Sequence, residues 1–295
     1  MINIDSTIKI TILSDLFNLR IKGGDKLIKN LGNVNSSAVD MLSFAENEEF
    51  LKIALENKNI IALVVTEKLS NIETSKSLLL SDNPREIFYN IHNYLVQKRF
   101  YEVKQKSIIS GKAVIHKSAY IAENNVIIGD NVNIGPHVSI LENTTIDNDV
   151  TIHANSVIGE EGFQNLQLQN NLISVPHGGG VHIQSGVRIG ANTCIDKGLF
   201  KDDTIIGKGT KIDNLVHIAH NVKIGKNCSI VANVFVGGSC IIKDNVRIAM
   251  SATLRDGIKI GRNSLIGMGS VVTGDVSENV IVMGVPAKPF DRNLK

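Results

Sequence analysis

The chain has 295 residues, enough for one large domain or two, and carries 31 basic against 29 acidic side chains. That balance gives no electrostatic case for nucleic acid. No apolar run is long enough for a transmembrane helix, and the segment Met1 to Arg20 lacks the basic start and unbroken apolar core of a signal peptide, so the chain reads as soluble and cytoplasmic. Cys194, Cys228 and Cys240 show no CxxC spacing, which argues against a disulfide framework or a zinc site. With no Trp and few aromatics, the core is expected to be Ile, Val and Leu, a composition that favours strands.

Residues 1–105 read as a small α/β domain. Ser14 is placed to cap a short helix over Asp15–Ile21. Phe44, Asn47 and Phe50 surround a loop-to-helix start: the two rings could sandwich a flat base while the amide reads its edge, or the aromatics could simply be core. Helical spacing follows over Glu48–Lys58, then a buried strand over Ile60–Val65. Asn83-Pro84 opens another helix with Ile87, Phe88, Ile91, Tyr94 and Leu95 on one face. A basic stretch, Lys98 to Lys106, leads out.

Residues 106–282 are dominated by a repeat, and 283–295 form a C-terminal tail. From Ile206 to Val272 an aliphatic residue recurs every six positions, a period that no helix supports. The residue two before each is small or β-branched, so each unit is a very short strand. Three residues after the aliphatic anchor stand Gly or Asn (Gly209, Asn221, Asn227, Asn233, Asn245, Gly257, Asn263, Gly269), which tolerate the positive φ of a sharp turn. Three such units, about 18 residues, close one triangular coil of a parallel β-helix. Earlier runs keep this register, from Ile128 to Ile158 and from Ile183 to Ile195. Two interruptions break it. Gly159 to Gly180 is an excursion with a polar tip that includes Gln169 and Asn170, either a binding element or a tolerated loop. The spacing of eleven between Ile195 and Ile206 reads as two steps with one residue missing near Leu199 to Asp203.

The segment Asp213-Asn214-Leu215-Val216-His217-Ile218-Ala219-His220-Asn221 offers the chemistry. With Ile218 inward, His217 points out from a flat face and His220 sits in the next turn, at an edge where a neighbouring subunit could complete a cleft. There it could act as a general base, or be a solvated turn histidine. Gly238, eighteen residues on, should stack over His220, and its N–H could stabilise an oxyanion or merely serve the turn. Asp213 could orient His220 or be solvated surface. For metal, His182, His217 and His220 are spaced too loosely and lack acidic partners, so no metal is expected.

These residues resemble the UDP-3-O-acylglucosamine N-acyltransferases of lipid A biosynthesis. The resemblance rests on Ser43-Phe44, Asn47 and Phe50, on Gly159-Glu160-Glu161-Gly162-Phe163, on Ile189 to Gly198, on Asp202 to Gly207, and above all on Ile212-Asp213-Asn214 through Ile218-Ala219-His220-Asn221-Val222. It implies a left-handed parallel β-helix and a homotrimer that moves a 3-hydroxyacyl chain from acyl carrier protein to the 2-amine of a UDP-linked glucosamine, with neither metal nor cofactor. It makes His220 the base and Gly238 the oxyanion donor, with Asp213 and Asn221 in support; His217 is grouped with the substrate-binding residues. Phe44, Asn47 and Phe50 would grip the uracil. The chain departs from the pattern at Gly257, where the family has a second histidine. It also stops soon after Gly284-Val285-Pro286-Ala287-Lys288, without the family's C-terminal helices. That ending is similar to acetyl-CoA-dependent nucleotide-sugar acetyltransferases, which keeps acetyl-CoA open as the donor; a sugar-nucleotide binder with a structural histidine is a third reading.

Overall fold

A computed structural model describes residues 7–101, 105–168 and 171–290. The chain divides into two units: Met1–Glu102 with Phe163–Gly178 and Phe200–Asp202 form one, and Val103–Gly162, Gly179–Leu199 and Asp203–Lys295 the other. Part of the basic stretch (102–104) and the excursion tip (169–170) lie outside the described residues.

The first unit is built on a five-stranded sheet in the order Arg20–Lys22, Ser77–Leu80, Ile60–Val65, Met41–Ala45, Asn30–Leu31. Only the Arg20–Lys22 edge is antiparallel. Ile60–Val65 is apolar almost without interruption because it is the central strand, covered on both faces. The helix at Glu48 runs to Glu56, with Asn47 as its cap and two glutamates in its first turn, where the helix dipole favours them. Pro84–Gln97 starts at its proline, which has no N–H to leave unsatisfied. The first helix differs from expectation. It spans Ile10–Phe17, and Ser14 lies inside it rather than at its start. Asn18 ends it by taking a left-handed φ of 49° and returning its N–H to the region of Ser14, which frees Arg20–Lys22 to become an edge strand.

Both interruptions of the repeat contribute to this unit. Asn165–Leu168 and Asn171–Ser174 form an antiparallel hairpin. After it, the Pro176 carbonyl meets His92 Nε2 at 2.7 Å, and Gly178 passes so close to Tyr101 that a Cβ there would lie 2.5 Å from the ring. Phe200 sits against Phe88, Tyr89 and His92, with centroids 5.5, 6.3 and 4.9 Å away.

The second unit is a parallel β-helix. Its two- to four-residue strands stack into three sheets, here called faces A, B and C, and each coil visits B, C and A in turn. Face A stacks Tyr120–Ile121, Ser139–Ile140, Val157–Glu160, Cys194–Asp196, His217–Ile218, Phe235–Val236, Thr253–Leu254 and Val271–Val272. Face B begins with Ile108–Ile109 and includes Val181–Ile183, Thr204–Ile206 and Lys223–Ile224; face C includes Arg188–Ile189 and Lys211–Ile212. The aliphatic column from Ile206 to Val272 is buried throughout, each side chain contributing about 1.5–3 kcal/mol relative to exposure. Two polar residues of the second inward column are satisfied by the coil above, Thr210 Oγ1 donating to the Gly225 carbonyl at 2.9 Å and Ser264 Oγ to the Ser277 carbonyl at 2.7 Å, whereas the buried Thr204 Oγ1 has no hydrogen-bond partner among the described residues. Every turn residue named above from Gly209 to Gly269 has a positive φ, between 54° and 74°. His137, Leu215, Ser239 and Ser251 hold the same conformation, which the Gly/Asn pattern alone does not reveal.

One reading of the repeat is corrected. Ile195 lies on face A and Ile206 on face B, the very next face, so the spacing of eleven is one lengthened step and not two steps short of a residue. Strand pairing fixes the faces residue by residue, so the extra chain is accommodated at the corner between them.

Candidate active site

Three consecutive crossings from face A to face B carry the unusual chain. The first is the excursion between Val157–Glu160 and Val181–Ile183; the second is the lengthened step between Cys194–Asp196 and Thr204–Ile206; the third contains His220, between His217–Ile218 and Lys223–Ile224. His220 is half-buried, and its Nδ1 lies 3.1 Å from Asn221 Oδ1. That oxygen also accepts the Leu199 N–H at 2.9 Å. Because Leu199 donates a backbone N–H, the atom it meets must be the amide oxygen, and an oxygen facing Nδ1 requires the proton to sit on Nδ1. In the neutral ring Nε2 is then the unprotonated nitrogen. A Cβ added at Gly238 would lie 2.7 Å from Nε2, 2.8 Å from Cε1 and 3.3 Å from Cδ2, so Gly238 passes over the face of the ring beside Nε2.

Gly238 therefore stands one coil above His220, where the eighteen-residue spacing puts it, and the Ser239 N–H donates to the His220 carbonyl at 2.8 Å. The Gly238 N–H itself donates to Asp256 Oδ1 at 2.9 Å. It can meet a developing oxyanion only after this exposed carboxylate turns aside. Gly257 adopts a φ of 73° with open space around its Cβ position, at the same corner one coil further.

Asp213 is elsewhere. It occupies the corner between faces C and A, exposed, with Oδ1 accepting the Asn214 N–H at 2.8 Å and its carbonyl accepting Thr193 Oγ1 at 2.9 Å. The oriented imidazole is served by Asn221, and Asp213 shapes its own turn. One coil below His220, Lys197 Nζ lies 3.4 Å from Glu161 Oε1.

His217 does point outward from face A, but with partners that sequence reasoning missed. Its ring stacks on Phe235, centroids 5.3 Å apart and planes within 4°. Nε2 lies 3.3 Å from Asp196 Oδ2, and this carboxylate, with its bearing on the ring, raises the His217 pKa. Cys194 Sγ contacts the other carboxylate oxygen at 3.4 Å, and burial together with that anion pushes the thiol up to about 12. The clue was register: Cys194, His217 and Phe235 occupy the same outward position of face A in successive coils.

In the first unit, Asn47 and Phe50 are exposed at the start of helix Glu48–Glu56, and Asn47 spends its Oδ1 on the Phe50 N–H at 3.0 Å. Phe44 is half-buried against Phe88 and Tyr89, at 4.9 and 6.1 Å, so its ring serves the core on at least one side. Among the described residues no helix is long and apolar enough to cross a membrane.

Against known proteins, residues 125–160, 203–238 and 239–274 match the family described as bacterial transferase hexapeptide (six repeats). A protein of Caulobacter sp. (strain K31) named UDP-3-O-acylglucosamine N-acyltransferase is 36% identical over 146 residues, covering 50% of this chain and 43% of that one. Its namesake from Caulobacter vibrioides (strain NA1000 / CB15N) is 52% identical over 81 residues, covering 28% and 24%. The matches thus span less than half the length of these curated relatives. Among solved structures, a UDP-N-acetylglucosamine acyltransferase from Campylobacter jejuni superposes with a TM-score of 0.54 at 22% identity, over 65% of this chain and 75% of that one. With the hexapeptide match, that likeness shows the fold: a left-handed parallel β-helix with a small N-terminal α/β part.

Proposed function

We propose that this protein is a cytoplasmic homotrimeric N-acyltransferase that moves a 3-hydroxyacyl chain from acyl carrier protein to the 2-amine of a UDP-3-O-acylglucosamine. The observation that carries the reading is the contact of His220 Nδ1 with Asn221 Oδ1, an oxygen fixed by the Leu199 N–H, which makes Nε2, beside Gly238, the basic nitrogen of the neutral ring. A neutral imidazole in that state takes a proton from the sugar amine as its nitrogen attacks the thioester carbonyl. The C–N bond forms, the carbonyl oxygen becomes an oxyanion near the Gly238 N–H, and the C–S bond then breaks. The departing thiolate recovers the proton from the His220 imidazolium, so His220 ends neutral. Neither cofactor nor metal takes part in these steps.

The curated relatives' name and the half-length match to one of them support the acceptor class. Asn47 and Phe50, with Phe44 behind them, are the candidates for the uracil, and a neighbouring subunit is expected to wall the A–B corner. The test is direct: incubate the purified chain with UDP-3-O-acylglucosamine and either 3-hydroxyacyl carrier protein or acetyl-CoA, and weigh the product. An added hydroxyacyl mass, lost in His220→Ala, supports the reading; turnover with acetyl-CoA alone replaces the donor, and full activity in His220→Ala removes the base.

A further inference from the structure

Cys194, Asp196 and His217 offer sulfur, oxygen and nitrogen atoms that all lie within 4.8 Å of one another on the outside of face A. Asp196 is almost fully buried, at 5% side-chain exposure, while its two partners are half-exposed. Among the described residues, a thiol and one imidazole are the side-chain contacts of this buried carboxylate, and a thiol is a weak donor, so its charge is poorly compensated. We propose that these three side chains form a binding site for a zinc-like divalent cation, with three protein ligands and one open position.

Geometry supports the assignment. Zinc at its usual bond lengths separates tetrahedral ligand atoms by roughly 3.3–3.6 Å. Here His217 Nε2 lies 3.3 Å from Asp196 Oδ2 and Cys194 Sγ lies 3.4 Å from Asp196 Oδ1, so each partner meets its own oxygen of the carboxylate. With one oxygen serving the ion, the three ligand atoms lie within 4.8 Å of one another, and rotation of the half-exposed Cys194 side chain closes the longer edges. Charge balances as well: neutral imidazole, carboxylate and thiolate sum with a divalent cation to zero. Binding releases the proton of Cys194 Sγ, because the thiolate is the ligand. The parallel stack on Phe235 fixes the plane of the His217 ring, a supporting contact of the kind that tunes metal affinity. A mixed S, N, O set suits zinc better than magnesium or calcium, which prefer oxygen alone. Histidine spacing does not reveal this cluster, because Cys194 and Asp196 are not histidines and both lie on the coil before His217. The site performs no step of the proposed acyl transfer and does not depend on it.

The experiment uses the full chain, stripped with a chelator and desalted, then titrated with Zn²⁺ against a chromophoric competitor and, separately, with Co²⁺. One equivalent per chain is expected, and the cobalt form should show a thiolate-to-metal charge-transfer band with the strong visible absorption of a four-coordinate ion. Cys194→Ser should abolish the charge-transfer band, and Cys194→Ser and His217→Gln should each weaken binding at least about a hundredfold; both residues are half-exposed, and a thermal melt confirms that the variants fold. Asp196→Asn is avoided as a primary test because Asp196 is buried. Substoichiometric binding, a cobalt spectrum without the charge-transfer band, or wild-type affinity in Cys194→Ser overturns the proposal.

Discussion

Replacing Gly238 by Ala isolates the geometry of the proposed base. Gly238 lies outside the left-handed region, so alanine adopts its backbone without strain, and the N–H to Asp256 is kept. The three atoms nearest the new methyl all belong to His220: Nε2 at 2.7 Å, Cε1 at 2.8 Å and Cδ2 at 3.3 Å. A relaxed contact needs about 3.5 Å, so the reactive edge of the ring must retreat by roughly 0.8 Å. A misplacement near 1 Å costs on the order of a hundredfold in rate, equivalent to about 2.7 kcal/mol in the barrier. The cost to folding is smaller. At most the Asn221 bond is lost, about 0.5–1.5 kcal/mol, and the stiffer unfolded chain returns about 0.4–1 kcal/mol. Steady-state kcat/KM should therefore fall roughly a hundredfold toward the His220→Ala floor while Tm stays within a few degrees. A folded Gly238→Ala enzyme with kcat/KM within about threefold of the parent would show that imidazole placement at this corner does not limit the reaction.

Three further outcomes are expected. Ile218→Ala removes a fully buried side chain from the coil core and should cost about 2–5 kcal/mol in urea unfolding, because neighbours held by strand pairing cannot collapse into the gap. His92 is buried, with Nε2 on the Pro176 carbonyl and Nδ1 facing the Tyr101 hydroxyl, and burial holds its pKa down at about 4. The unfolded chain takes up that proton near pH 6.5, so the stabilisation is whole above about 6.5 and is lost as pH falls through 4, up to about 3 kcal/mol, and His92→Gln should flatten the slope in acid unfolding curves. For His217 the sign is opposite: Asp196 raises its pKa, so the pair stabilises fully below about pH 6.5 and loses its effect as pH rises through the raised value. Unfolding midpoints of the parent and Asp196→Asn should accordingly differ most in mild acid and converge in alkali.

What the sequence disclosed depended on whether a feature repeats. The aliphatic column from Ile206 to Val272 and the Gly/Asn turns recur so regularly that the coil, and the stacking of Gly238 over His220, followed from counting. Leu215, Ser239 and Ser251 take the same turn conformation without the residue that advertises it, because the coils above and below impose it. The eleven-residue step was misread since counting alone cannot distinguish a lengthened corner from a shortened pair of steps; only knowing which face receives Ile206 does so. Residue type leaves Asp213 open as an orienting group or as solvated surface, and the coil places it exposed, one corner away. Asn221 is identified instead by the Leu199 N–H, a contact that no local pattern encodes.

The two interruptions and the histidine belong to one physical argument. A face of a parallel β-helix cannot lengthen, because each strand residue is held in register above and below, whereas a corner can. Here the added chain enters the same A–B corner in two successive coils, and His220 occupies that corner in the third. The lengthened step is what carries Leu199 to the side chain of Asn221. A regular step of six would contain no residue at that place, and Asn221 could then rotate to offer its nitrogen to the ring as readily as its oxygen. With nitrogen facing Nδ1, the proton would move to Nε2, which could then no longer take up the substrate's proton. The irregularity in the repeat thus selects the tautomer on which the proposed chemistry rests.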